Sequence, residues 1–195
     1  MLKILLLSGL LTVSLLAKDA LTSYDFETLN LSSWHSFGTW KINQEKDNKV
    51  LSMTKRSKGG FNLCYTKEVD FLDGSASVKF RANTGRIDQG GGLMWRVQYD
   101  ENYYVARFNP LEDNFRFYIV QDGIRREIAS ANVTLKKGWH TMRIAQKDDA
   151  FTGYIDGKKH LEHRDNRLQK SGGVGVWTKA DAGSSFDDLS IMISK

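Results

Sequence analysis

Residues 90–123 read GGGLMWRVQYDENYYVARFNPLEDNFRFYIVQDG. Three runs rich in aromatic, β-branched and arginine residues are separated by polar stops at Asp100-Glu101-Asn102, around Pro110, and at Asp122-Gly123. Runs bounded in this way read as consecutive strands, and Asp-Gly supplies the positive φ angles that a two-residue hairpin requires. With Asp100-Glu101-Asn102 as the first turn, Leu93, Trp95, Val97, Tyr103 and Val105 share one face, and Arg96, Gln98 and Tyr104 share the other. In the next run Phe115, Phe117 and Ile119 alternate with Arg116 and Tyr118. Further on, Met142 and Ile144 alternate with Thr141 and Arg143. The expectation is a sheet with an apolar side and a side bearing Arg, Gln and Tyr. Arg107 falls on the apolar side, so it either ends its strand or marks a register one residue out.

The same alternation extends in both directions. Strands are expected at 40–42, 50–54, 61–66, 76–82, 92–99, 103–109, 114–121, 124–129, 139–146, 151–155, 158–162, 174–178 and 185–193. Asp156-Gly157 repeats the hairpin signal. Residues 158–169 have no apolar stripe and read as a strand end plus loop rather than a helix. Many short strands with regular turns imply an all-β protein, a sandwich or barrel of antiparallel sheets.

The amino terminus reads differently. Lys3 is the only charge before Lys18, residues 4–16 are apolar but for Ser8, Gly9, Thr12 and Ser14, and Ala17 is small. This is the pattern of a secretory signal peptide, which places residues 1–17 outside a single domain of residues 18–195 and the protein in the periplasm or outside the cell. The apolar run falls short of the ~20 residues that span a bilayer, so the mature chain is expected to carry no integral membrane segment. A domain of this length closes a core without disulfides, and the single cysteine, Cys64, alternates with strand residues as a small buried hydrophobe. The formal charge of +5 is dispersed, with short clusters at Lys55-Arg56-Ser57-Lys58 and Arg125-Arg126. That argues against nucleic acid as a partner and leans towards acidic surfaces or acidic polysaccharide. A monomer is expected.

Five segments taken together carry a family resemblance: GGLMWRVQYDENYYVARFN, YIVQDGIRREIA, GWHTMRIAQ, FTGYIDGKK and GGVGVWTKADAGSSFDDLSI. The chain resembles the 3-keto-disaccharide hydrolase-like family of the concanavalin A-like lectin/glucanase superfamily, over roughly residues 24–193. The resemblance implies a two-sheet antiparallel jelly-roll sandwich and a role linked to carbohydrate.

Three constellations bear on chemistry. Glu68-Val69-Asp70-Phe71-Leu72-Asp73 echoes the E-x-D-x-x-E of glucanases in that superfamily, whose two carboxylates lie ~5 Å apart for retaining hydrolysis. The shorter Asp73, followed at once by Gly74, is equally the end of a strand entering a turn, and no catalytic residue is assigned. Acids near both ends of the chain, Tyr24-Asp25-Phe26-Glu27 and Phe186-Asp187-Asp188-Leu189, are placed to hold a structural calcium through Glu27 and Asp188, or to cap turns. The polar sheet face, with Arg96, Gln98, Tyr104, Arg116 and Tyr118 and with Trp177 at its margin, has the mixture of rings, amides and guanidinium groups that sugars require. The bland reading is a solvated face covered by long side chains. The functional expectation is an exported carbohydrate-binding module. The alternatives are a glycoside hydrolase of a small or modified (3-keto) disaccharide, and a structural module without a sugar ligand. His160 and His163 lack further ligands for a metal.

Overall fold

The computed structural model describes residues 19–54 and 59–194. The expected signal peptide and the basic cluster Lys55-Arg56-Ser57-Lys58 lie outside the described residues. No helix among those described is long and apolar enough to cross a membrane.

Two antiparallel sheets hold all the strands of the described residues. The strands run β1 Ala20–Tyr24, β2 His35–Phe37, β3 Trp40–Glu45, β4 Asn48–Met53, β5 Phe61–Phe71, β6 Gly74–Thr84, β7 Gly91–Tyr99 and β8 Asn102–Asn109. They continue as β9 Asn114–Gln121, β10 Ile124–Asn132, β11 His140–Lys147, β12 Ala150–Ile155, β13 Lys158–Arg164, β14 Gly172–Lys179 and β15 Gly183–Ile193. The first sheet is ordered β13-β12-β11-β6-β15-β4-β3, with β1 paired to β15, and the second β10-β9-β8-β7-β14-β5-β2. This is the jelly-roll sandwich expected from the strand pattern. Asp122 and Gly123, like Asp156 and Gly157, have positive φ, so both Asp-Gly hairpins form as read. The two strands missing from the sequence reading, β1 and β2, are short, and neither sequence shows the apolar alternation by which a strand is read.

The core lies between the sheets. Ala76, Val78, Phe80, Met142, Ile144, Phe151, Phe186 and Ile191 of one sheet meet Leu93, Trp95, Tyr104, Phe115, Phe117, Ile119 and Val176 of the other. Trp95 bonds its indole N–H to Gln146 Oε1 at 2.8 Å, satisfying both buried polar groups. Gly153 makes room for this packing: a Cβ there would stand 2.6 Å from Phe117 Cζ. Cys64 belongs to this core, and burial pushes its thiol up to about 12.

The faces of β7 and β8 differ from the sequence reading for two reasons. The β7–β8 turn holds two residues, because Tyr99 pairs with Asn102. That turn puts Trp95 and Tyr104 on the same face, a register shift between Trp95 and Tyr99 brings them opposite each other, and both point inward. Arg96 then adopts φ 48° as a bulge in β7, which turns Val97 outward. Val97, Tyr103 and Val105 thus lie on the outer face of the second sheet, and Arg107 lies there with them, paired with Arg116. The arginine that seemed misplaced in the core belongs to the polar face.

Candidate functional site

The outer face of the second sheet carries its own buried cluster: Leu63, Tyr65, Met94, Val97, Tyr103, Val105, Tyr118, Val120 and Trp177. It is distinct from the core between the sheets. Trp177 donates its indole N–H to Tyr103 Oη at 3.3 Å. His35 stacks on Tyr65 at 5.3 Å, and Phe37, two residues on, is 62% exposed. An aromatic floor therefore runs from β9 to β2.

At one end of this floor stands a charged cluster. Arg107, 2% exposed, donates from Nη2 to Asp88 Oδ1 at 2.6 Å and from Nη1 to Tyr118 Oη at 3.3 Å. Arg116 donates to Glu112 at 3.0 Å and reaches Glu127 at 3.1 Å. Arg125 lies across the Tyr118 ring, its Cζ 4.3 Å from the centroid, and 5.7 Å from the rings of Phe61 and Trp177. A guanidinium over an aromatic face is attracted by the ring quadrupole. Lys179 Nζ is 3.9 Å from Asp88. The Glu112 carboxyl is held below the usual carboxylate range, first by the Asn114 side-chain amide and then by Arg107 and Arg116, against the opposing effect of burial.

This cluster also holds most of the unmet hydrogen-bonding capacity in the described protein. Four buried side-chain polar atoms have no partner: Trp34 Nε1, Arg107 Nε, Asn114 Oδ1 and Arg125 Nη1. Three of the four sit on this face. Folded proteins leave few such groups, because burying one unpaired costs about 1–3 kcal/mol. Asn114 donates from Nδ2 to Glu112 at 2.8 Å, which fixes the amide with its carbonyl oxygen as the free group. The result is two cationic donors and one acceptor beside aromatic rings.

The six residues expected to line one face separate into two groups. Arg116, Tyr118 and Trp177 come together here. Arg96, Gln98 and Tyr104 do not. Arg96 is buried at the end of the sandwich, bonded to the carbonyls of Leu72, Leu168 and Asp148 and to Asp73, and so ties three loops together. Tyr104 is core, donating to Asp165 at 2.8 Å. Gln98 reaches only the Lys170 carbonyl, at 3.5 Å. Tyr118 and Trp177 are 3% and 0% exposed, so neither presents an open stacking surface. Arg125 occupies that position. Sequence reasoning missed Arg107, Asn114, Asp88 and Arg125. The Arg125-Arg126 pair and the misfit of Arg107 were the available signals.

Elsewhere the candidate carboxylates, Asp70 apart, are engaged within the protein. Glu68 accepts from Tyr24 at 3.3 Å, Asp70 is exposed, and Asp73 accepts from Arg96 and from the Asp148 amide. A cavity of about 260 Å³ at that end is lined by Asp73, Arg96, Asp148 and Asp149, with Asp149 paired to Arg164 at 2.6 Å. Glu27 accepts from the Lys49 amide at 2.7 Å, and Asp188 pairs with Lys79 at 2.5 Å. No group of three metal-ligating side chains occurs among the described residues.

A family model described as the 3-keto-alpha-glucoside-1,2-lyase-like domain matches residues 24–192. No curated protein matches the chain. Among solved structures, the chain is similar to the carbohydrate-binding module CBM66 from Bacillus subtilis: 19% identity, TM-score 0.71, 83% of this chain and 97% of that one. It is similar to the native form of a glycosidic hydrolase: 14% identity, TM-score 0.63, 88% and 94% covered. It is also similar to the VIP36 exoplasmic/lumenal domain in a Ca2+/Man3GlcNAc-bound form: 10% identity, TM-score 0.66, 89% and 88% covered.

Proposed function

The chain belongs to the 3-keto-alpha-glucoside-1,2-lyase-like domain family, and on that footing we propose that it is a saccharide-binding β-sandwich working through the outer face of its second sheet. The observation that carries the reading is the group of unpartnered polar atoms, Arg107 Nε, Arg125 Nη1 and Asn114 Oδ1, gathered beside one aromatic floor. A sugar presents hydroxyls that both donate and accept, so it meets both kinds of group at once. The side chain of Arg116, 28% exposed, is the polar rim by which a ligand enters, and Phe37 and His35 extend the face for further sugar units. The similarity to a solved carbohydrate-binding module supports this reading.

The enzyme reading needs two free carboxylates about 5–10 Å apart across the scissile bond. In the cluster Asp88 is engaged by Arg107, and Glu112 by Arg116 and Asn114. Binding without cleavage is therefore the function proposed. The protein is proposed to act as an exported monomer in the periplasm or outside the cell, after loss of residues 1–17.

A glycan array probed with the purified protein tests this, with release of reducing ends assayed on each hit. The expected result is a defined set of hits that Arg116→Ala abolishes with an unchanged melting temperature, and no new reducing ends. Hits that survive Arg116→Ala would move the site elsewhere. Cleavage of a hit would replace the binder with a hydrolase.

A further inference from the structure

We propose that the saccharide is acidic, and that its anionic substituent is held by the guanidinium groups of Arg107 and Arg125 while Asn114 accepts from a neighbouring hydroxyl. The inference rests on the saccharide-binding reading and names the class of ligand within it.

Charge accounting on the face leads there. Asp88 pairs with Arg107, and Glu112 and Glu127 both pair with Arg116. Lys179 stands at the far limit of an ion pair with Asp88. Arg125 makes no ion pair among the described residues, although its Nη1 is buried. The cations Arg107, Arg116, Arg125 and Lys179 therefore exceed the acids Asp88, Glu112 and Glu127 by one. The uncompensated charge is the one poised over the aromatic floor.

The geometry of the donors points the same way. Both arginines contact Tyr118, Arg107 at its hydroxyl and Arg125 over its ring, so the two cations flank one side chain of the face. A neutral hydroxyl accepts from one such donor and leaves the charge unmet. A carboxylate or sulfate ester has several acceptor oxygens, matches the fork of a guanidinium, and forms charge-assisted bonds about twice as strong as neutral ones. Asn114 Oδ1 cannot bond an anionic oxygen, and so is left for a hydroxyl donor. An anion and a hydroxyl of one saccharide chain supply the two kinds of partner these atoms lack.

The test is titration calorimetry on the full chain with four probe sets. These are uronic-acid oligosaccharides, the same oligosaccharides fully methyl-esterified, sulfated galactan oligosaccharides, and neutral galactan and glucan oligosaccharides. The uronate or the sulfate set is expected to bind, and which one binds identifies the anion. Removing the anion, by esterification or by use of the unsulfated sugar, is expected to weaken binding at least about tenfold, and added salt to weaken it further. Arg125→Gln is expected to bring the acidic ligand down to the affinity of its neutral counterpart at an unchanged melting temperature. Should that variant fold poorly, Arg125→Lys keeps the charge and loses the fork, and is expected to keep salt dependence with reduced affinity. Neutral or esterified sugars binding as tightly as acidic ones would overturn the acidic class and leave the saccharide reading intact. If no probe of any kind binds, both readings fall.

Discussion

Arg107 is the residue whose replacement discriminates most sharply, because its charge is buried with that of Asp88. Their side chains are 2% and 5% exposed, and Nη2 lies 2.6 Å from Oδ1. Arg107→Met leaves a buried carboxylate whose nearest remaining partners are Asn109 Nδ2 at 3.4 Å and Lys179 Nζ at 3.9 Å. Breaking a buried pair from one side costs about 3–5 kcal/mol, and those remaining partners place this case near the lower end. Arg107→Met combined with Asp88→Asn removes both charges, and well-packed neutral replacements of such pairs are often neutral in stability. The double variant is therefore expected to recover most of the loss, with a coupling of about 2–3 kcal/mol. Urea unfolding at a common m-value reads all four corners of the cycle. Both Arg107 variants are expected to lose saccharide binding, including the double variant that regains stability. Strict additivity, with coupling under about 0.5 kcal/mol, would refute the claim that the two charges depend on each other. Binding retained in the double variant would remove Arg107 from the site.

Three further outcomes follow from residues away from the face. Tyr104→Phe removes a hydroxyl that donates to Asp165 and accepts from the Leu168 amide, so it is expected to cost about 1–3 kcal/mol in urea unfolding and to leave saccharide binding unchanged. Burial alone would raise the Asp165 carboxyl, but hydrogen bonds from the Arg167 side chain and amide and from Tyr104 outweigh it and hold the group below its ordinary value. Its contribution to stability is thus present above the unfolded carboxylate range, near pH 4, and lost as pH falls through the lower folded value. Asp165→Asn should flatten the acid limb of a stability–pH curve, and an unchanged slope would contradict this. A chelator in excess is expected to leave the melting curve of calcium-exposed protein unmoved, and a fall of several degrees would restore a metal site at Glu27 and Asp188.

The class of fold was legible because alternation with period two is a strong signal and Asp-Gly turns are local chemistry. The side of the sheet on which each residue falls was less so. Parity along a hairpin depends on turn length and on bulges. The two-residue turn between Tyr99 and Asn102, and the positive φ of Arg96, together exchanged the faces of Val97, Tyr103, Tyr104, Val105 and Arg107. Nothing in the side chains around Arg96 announces a bulge, since it is fixed by the distant loop carbonyls the guanidinium reaches. β9 has no such interruption, and there Arg116 and Tyr118 fell on the correct side, opposite Phe115, Phe117 and Ile119. An arginine assigned to a core face was itself the sign of a shifted register. Asp88 and Asn114 could not be drawn to the site from sequence, because they arrive from a loop and a strand end rather than from the alternation.

The account turns on whether sugar meets the outer face of the second sheet. Side-chain nuclear magnetic resonance reads this directly through the Nε–H signals of arginine and the indole N–H signals of tryptophan, during titration with a saccharide that binds. The Arg107 Nε–H, which lacks a partner among the described residues, and the indole N–H of Trp177, on the same face, are predicted to shift saturably. The Arg96 Nε–H, bonded to the Leu72 carbonyl, and the Trp95 indole N–H, bonded to Gln146, are predicted to stay where they are. Shifts confined to Arg96 and the loops around Asp148 and Asn166, with Arg107 and Trp177 unmoved, would contradict the account and place the ligand at the end of the sandwich.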